Sequence, residues 1–261
     1  MDFSRLLNKH AIERPASIAL HDDGRPVSYG ELWQEARRMA ALLYARGARP
    51  GDRMALWLPN CTAWLVIFLA CARLGVTVVA LNTRFRSREV GDIVSRSRSR
   101  WMAVWPTFKG LPFAEILQEV PAQELNAVEQ VLVLGDLPAT PLVPGAEHFS
   151  YLEEAVRGTS CPPEMERGSD LALVYTTSGT TSRSKLVVHD QETLIAHGES
   201  VAAVQGIGET DAILMGAPFC GAFGFSAAVA GLAAGGALGS LALAHWGWTG
   251  VTLTAAGAAA A

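Results

Sequence analysis

Residues 171–190 read LALVYTTSGTTSRSKLVVHD. An apolar run ends at Tyr175, and a second, Leu186 to Val188, begins just after Lys185. Short β-branched runs of this kind predict strands, because such side chains fit a pleated, covered surface. Between the runs stand Thr176, Thr177, Ser178, Gly179, Thr180, Thr181 and Ser182, six hydroxyls around one glycine. A polyphosphate requires many converging hydrogen-bond donors with a positive charge beside them. Backbone N–H groups in a glycine-containing turn and Ser/Thr hydroxyls supply the donors, and the Lys185 ammonium supplies the charge. An ordinary Ser/Thr-rich turn is the plainer alternative, but a run of seven such residues with a lysine, flanked by two strands, is uncommon for one.

Gly179 and Lys185 are spaced as in GxxxxGK(S/T), yet Ser184 replaces the second glycine and Leu186 the magnesium-binding hydroxyl. That motif also opens a helix, whereas a strand is expected here, so GTPase and kinase readings lose support. No GxSxG elbow and no GxGxxG loop occurs, which removes the serine-hydrolase and dinucleotide-binding readings.

Outward from this segment, strand-like runs alternate with helical ones. Residues 17–21, 53–58, 77–81, 101–105, 130–134 and 212–215 read as further strands. Residues 29–46, with Leu32, Ala36, Met39 and Leu43 on one face, read as a helix opened by a Ser28/Glu31 capping box. Residues 62–74 are almost wholly apolar, as suits a helix packed deep against a sheet. Helices are also expected at 87–95, 191–204 and about 225–234, and the proline-rich stretch 135–168 as a surface excursion. The alternation predicts an α/β fold with a mostly parallel sheet layered with helices. One α/β unit over residues 1–245 is expected, followed by a low-complexity Gly/Ala-rich tail at 246–261.

Half of the 261 residues are apolar, 18% are charged and the net charge is −4, which fits a globular protein and gives no reason to expect a nucleic-acid partner. Arg84, Arg86, Arg88, Arg96, Arg98 and Arg100 make the first 110 residues basic. They read either as a solvated helix face or as a landing site for a phosphorylated ligand. The four cysteines have neither zinc nor disulfide spacing, Cys61 and Cys71 sit in apolar surroundings, and the start has no signal-peptide core. A reducing cytoplasm is the expected location. Residues 222–244 are long enough to span a bilayer, but their Gly/Ala content disfavours insertion, so no membrane span is expected.

The stretch YTTSGTTSRSKLVV, residues 175–188, is similar to the YTSGTTGxPKGV signature of the adenylate-forming superfamily, which includes acyl-CoA synthetases. Residues 27–60, VSYGELWQEARRMAALLYARGARPGDRMALWLPN, resemble that family's opening. Residues 69–94, LACARLGVTVVALNTRFRSREVGDIV, resemble its next helix, strand and loop. The resemblance runs from about residue 6 to about residue 236. It implies the N-terminal subdomain of the superfamily fold, in truncated form, and ATP-dependent activation of a carboxylic acid, fatty acids foremost, to acyl-AMP and then acyl-CoA. It implies that Thr177, Ser178, Gly179, Thr180, Thr181, Ser182 and Lys185 hold ATP phosphates. Thr181 and Lys185 would serve catalysis directly, and Thr180 or Thr181 would touch Mg²⁺. Coenzyme A would be the thiol co-substrate.

Residues 217–225, APFCGAFGF, resemble the family's P-x-F-H-x-x-G segment, with Gly221 at the histidine position. The resemblance therefore implies an altered acyl pocket around Phe219, Gly221, Phe223 and Gly224; a plain Gly-rich strand-to-helix turn is the competing reading. Ser182, Ser184 and Leu186 depart from Gly, Pro and Gly in the signature. The family's adenine- and ribose-binding motifs and its C-terminal catalytic lysine are not found among the 261 residues. The expectation is therefore an acid–thiol ligase present only as its N-terminal subdomain, which binds ATP weakly and does not turn over alone; the alternative is a non-catalytic fragment that binds nucleotide at most or complements a second chain.

Overall fold

The computed structural model describes residues 1–108, 110–153, 167–168, 170–177 and 183–239. Helix α1 (Phe3–Glu13) is followed by strands β1 (Ile18–Asp22) and β2 (Arg25–Ser28), helix α2 (Tyr29–Ala45), β3 (Arg53–Trp57), α3 (Thr62–Leu74) and β4 (Thr77–Ala80). Then come α4 (Ser87–Ser97), β5 (Trp101–Val104), α5 (Phe113–Glu119), β6 (Gln130–Val133), β7 (Glu147–Ser150) and β8 (Leu171–Thr177). The described chain ends with β9 (Lys185–Asp190), α6 (Gln191–Gln205), β10 (Ala212–Leu214), α7 (Ala222–Ala234) and β11 (Ala237–Gly239). The capping box of α2 is present: the Ser28 hydroxyl accepts from the Glu31 N–H, and the Glu31 carboxylate accepts from the Ser28 N–H.

The fold is α/β, but with two sheets where the strand pattern alone suggests one. The seven-stranded sheet has the order β7-β6-β5-β3-β4-β8-β9, parallel throughout except for the antiparallel edge strand β9. The smaller sheet has the order β10-β11-β1-β2. It pairs the beginning of the chain with its far end, Leu20 lying opposite Leu238. β7 falls inside the stretch 135–168 expected to be an excursion. A strand forms there because Glu147–Ser150 finds the exposed edge of β6, a pairing that no local pattern announces.

Helix α3 explains the layering. It is apolar all round, with every residue from Ala63 to Leu74 buried except Arg73, so it must be covered on all sides. One large core takes side chains from both sheets together with α1, α2, α3, α6 and α7. Its centre is a run of rings from distant elements: Phe3 on Phe68 (5.0 Å), Phe68 on Phe225 (4.7 Å), Trp64 on Phe225 (5.4 Å) and Trp64 on Phe219 (5.4 Å). A second core on the opposite face of the seven-stranded sheet is covered by α4 and α5. The basic run lies mostly on that outer layer: Arg84, Arg86, Arg88, Arg96 and Arg98 are exposed, while Arg100 is paired with Asp52 and Glu129. Cys61, Cys71 and Cys220 are buried. Among the described residues no helix is long and apolar enough to cross a membrane. α7 ends at Gly235 in a left-handed turn (φ 74°), and β11 follows.

Candidate functional site

In a parallel sheet all strands point their carboxyl ends to one side, and ligands collect where successive crossovers leave in opposite directions. Here that point lies between β3 and β5. The chain passes from β3 to its neighbour β4 through α3 on one face, then returns across β3 to β5 through α4 on the other. The carboxyl ends of β3 and β5 therefore open the crevice in which a site is expected, and the carboxyl end of β8 lies on the same edge of the sheet, beyond β4.

The hydroxyl-rich run begins at this edge. β8 buries Leu173 and Tyr175 in the large core and Val174 in the smaller one, and brings Thr177 out to solvent at its end. β9 returns antiparallel with Lys185 as the register partner of Thr177. The structure thus brings Thr177 and Lys185 together at the two feet of one hairpin, with neighbouring Cα atoms about 5 Å apart as in any such pair. Ser178, Gly179, Thr180, Thr181 and Ser182 lie outside the described residues. Leu186, where the signature has glycine, sits in the extended strand opposite Thr176 and packs against the smaller core. An extended backbone accepts leucine without strain.

Helix α4 meets the C-terminal foot of the hairpin. Its buried face, Val90, Ile93 and Val94, fixes it to the sheet. From its flank, Arg96 Nη1 donates to the Ser184 carbonyl (2.8 Å) and pairs with Asp92 Oδ2 (2.8 Å). Asp92 Oδ1 lies 3.5 Å from Arg183 Nε. Beyond β9, Asp190 caps α6, accepting from the Thr193 N–H at 2.7 Å, and this bond holds its carboxyl below the usual aspartate range. His189 meets the Tyr175 ring edge-on at 5.4 Å, and His197 is exposed on α6. Neither histidine has an arrangement that assigns it chemistry.

The loop from β10 to α7 supplies the other wall. Asn60, just past the end of β3, clamps it twice: Nδ2 donates to the Ala217 carbonyl (2.9 Å) and Oδ1 accepts from the Phe219 N–H (2.7 Å). Phe219 is buried against Trp64, and Gly221 occupies the cap position of α7. Gly224 lies so close to the loop that a Cβ would collide with the Pro218 carbonyl oxygen and stand 2.8 Å from that of Ala217. Phe223, by contrast, is 82% exposed. Phe219, Gly221 and Gly224 therefore share one turn, while Phe223 points away from it. The neighbouring Cys220 thiol is pushed up to about 11 by burial, so it stays protonated and unreactive near neutral pH. The Tyr175 phenol, also raised by burial, lies within electrostatic reach of it.

Asn60 and Arg96 escape a reading for catalytic motifs because they act on backbone atoms far along the chain, and Asp92 because it acts on the Arg96 and Arg183 side chains. The only local hint is the i, i+4 spacing of Asp92 and Arg96 on a helix. No group of His, Cys, Asp or Glu among the described residues could hold a metal ion.

Residues 7–245 match the family model described as AMP-binding enzyme. A (methyl-dioxo-octahydroindenyl)propanoyl:CoA ligase of Rhodococcus jostii is 31% identical over 235 residues, covering 85% of this chain and 44% of that protein. A crotonobetaine/carnitine–CoA ligase of Salmonella enteritidis is 32% identical over 165 residues, 63% of this chain and 30% of that one. The chain thus spans less than half the length of these relatives. A crystal structure of a putative long-chain-fatty-acid CoA ligase from Rhodopseudomonas palustris superposes with a TM-score of 0.77 at 20% identity, over 92% of this chain and 57% of that one. That superposition confirms the layered two-sheet architecture. With the family model matched over nearly all of its length, and Thr177 paired with Lys185 at the carboxyl edge of the sheet, the chain belongs to the AMP-binding enzyme family.

Proposed function

We propose that the β8–β9 hairpin grips the β- and γ-phosphates of ATP and that the chain is the front half of an AMP-forming acid–thiol ligase. The observation that carries this reading is the pairing of Lys185 with Thr177 at the carboxyl edge of the sheet. In the proposed reaction a carboxylate attacks the α-phosphorus and pyrophosphate leaves; the acyl-AMP then passes its acyl group to the sulfur of coenzyme A, releasing AMP and the thiol proton. The Lys185 ammonium offsets the negative charge that grows on the departing pyrophosphate, which lowers the barrier most if the charge is already in position. Hydroxyls and amides of residues 177–182 share that role.

Mg²⁺ fits this donor set: a hard cation takes oxygen ligands and is usually held largely by substrate phosphates, with the Thr180 and Thr181 hydroxyls as the protein's contribution. When bound, it neutralises phosphate charge. The clamped turn at Phe219, Gly221 and Gly224 borders the acyl group, and with no histidine at Gly221 it leaves room for a bulky carboxylic acid, fatty acids foremost. The cytoplasm, which supplies ATP and coenzyme A, is the location that this reading proposes.

The coverage of 44% and 30% of two ligases supports the further reading that these 261 residues alone bind ATP weakly and do not turn over. A second chain would then supply the missing groups. The test is ATP–pyrophosphate exchange and equilibrium ATP binding with a panel of carboxylic acids, using Lys185→Ala as control. Millimolar ATP binding that weakens about tenfold or more in the variant supports the grip, that being the scale of one charge-assisted contact to phosphate. No binding by the natural sequence, or no change on losing the lysine, overturns it. Robust thioester formation by the 261 residues overturns the claim of incompleteness.

A further inference from the structure

The hairpin has two feet, held in different ways. On the N-terminal side β8 is fixed by the parallel ladder to β4, with Val78 opposite Leu173 and Val79 opposite Val174, and by the burial of Leu173, Val174 and Tyr175. On the C-terminal side the β8–β9 ladder begins only at Lys185. Arg183 and Ser184, directly before the lysine, lie outside it. Among the described residues, what holds them is α4, through the Arg96 donation to the Ser184 carbonyl and the Asp92 contact with Arg183. Asp92 also pairs with Arg96, so the three groups form one chain from the helix to the loop.

We infer that Asp92 and Arg96 are positioning residues for the phosphate grip, acting through Ser184 to set where the Lys185 ammonium sits. This rests on the phosphate-gripping role of the hairpin proposed above. The signature residues at positions 184 and 186 are proline and glycine, and this chain has serine and leucine. Proline would fix φ at residue 184 by its ring; serine leaves that angle free. The carbonyl of the same residue is instead held from outside, by a guanidinium anchored on a packed helix. Both bonds leave the one nitrogen Nη1, whose two hydrogens are fixed in the guanidinium plane, so the carbonyl and the Asp92 carboxylate are served together from one rigid group. The tie is superficial, with 35% of the Arg96 side chain and 22% of that of Asp92 exposed. Its loss should therefore leave the fold standing while loosening the grip.

The experiment measures ATP and inorganic tripolyphosphate binding to the 261-residue chain and to Arg96→Ala, Asp92→Asn, Arg96→Lys and the double variant. Tripolyphosphate presents only the phosphates that the grip serves, and the thermal midpoint is the control for a merely structural effect. The expected result is binding of both ligands weakened about two- to fivefold in the single variants, thermal midpoint unchanged, and partial recovery in Arg96→Lys. The double variant should be no worse than the single ones, because the two residues act as one unit. If Lys185→Ala weakens ATP but Arg96→Ala and Asp92→Asn do not, the positioning role is refuted and the grip stands. Weakened binding accompanied by a lowered thermal midpoint would make the pair merely structural and also refute it. If ATP does not bind the natural sequence, or Lys185→Ala has no effect, the grip itself is wrong and the positioning role falls with it.

Discussion

Replacing Asn60 by alanine should cost far more than the loss of one small polar side chain at a partly exposed site. Asn60 donates to the Ala217 carbonyl and accepts from the Phe219 N–H, both partly buried. Alanine leaves both backbone groups without their partner. An unmet donor or acceptor away from water costs about 1–3 kcal/mol; partial exposure puts each at the lower end, so about 2–4 kcal/mol is expected in total. Asn60→Asp keeps the acceptor for Phe219 and loses the donor to Ala217, so it should cost about half as much. A chain of this size has a urea m-value of about 3 kcal/mol per M, which converts the alanine effect to a midpoint shift of about 1 M. Urea unfolding followed by far-UV circular dichroism measures it. Midpoints within about 0.2 M of the natural protein for both variants, far inside the expected shift, would show that water replaces Asn60 without loss and would refute the clamp.

Gly224→Ala should displace the same loop from the other side, because its Cβ overlaps the Pro218 carbonyl; a loss of about 1–3 kcal/mol is expected, read as a lower urea midpoint. Phe68→Ala removes the ring shared by Phe3, Trp64 and Phe225 and should cost about 3–5 kcal/mol, measured by the same unfolding. Acid should destabilise the fold in a defined window. Burial lowers His10, whose ring stacks on Tyr29 and lies near Arg14, Lys9 and Glu13, and it lowers His148. The Leu142 N–H donates to Nε2 of His148 at 3.0 Å, while Nδ1 donates to the Ala146 carbonyl at 3.1 Å, an arrangement that needs the neutral ring. Because the unfolded chain takes up these protons near pH 6.5 and the folded one resists, stability is full above that pH. It should fall by up to about 1.4 kcal/mol per unit for each histidine below it. The carboxylates of Glu31, Glu147 and Asp190 are held low and titrate later. Unfolding midpoints at pH 7.5 and 5.5 check the sign, and His10→Phe should flatten the slope.

Much of the seven-stranded sheet is legible in the sequence because its strands are buried on both faces and read as dense apolar runs; β3, β4, β5 and β6 each lie within a residue of the expected stretch. Helix α3 matches its expected range for the same reason. The smaller sheet is only half legible: β1 and β10 lie within a residue of their expected stretches, whereas β2 and β11 do not show in the sequence. β11 is Ala-Leu-Gly, a sequence with no strand preference, and it becomes a strand only between β1 and β10. β2 contains a proline and sits at an edge. At the candidate site, Thr177 and Lys185 are visible as a motif. The Asn60 clamp and the α4 tie are not, because each joins a side chain to backbone far along the chain, and backbone carries no residue-type signal.

The link between the chain's beginning and residue 238 governs how the molecule must be made. The Arg14 guanidinium reaches the Gly235 carbonyl across 221 positions, and the Tyr29 hydroxyl reaches Gly236 across 207. At about 5–20 residues per second, a ribosome needs about 10–40 s to deliver these partners to the first helix. Throughout that interval β1 has a vacant flank and Phe3 and Phe68 await Phe225. Newly made chains should therefore depend on holdase chaperones, and removing α7 and β11 should release an aggregating, protease-sensitive product rather than a shorter folded one.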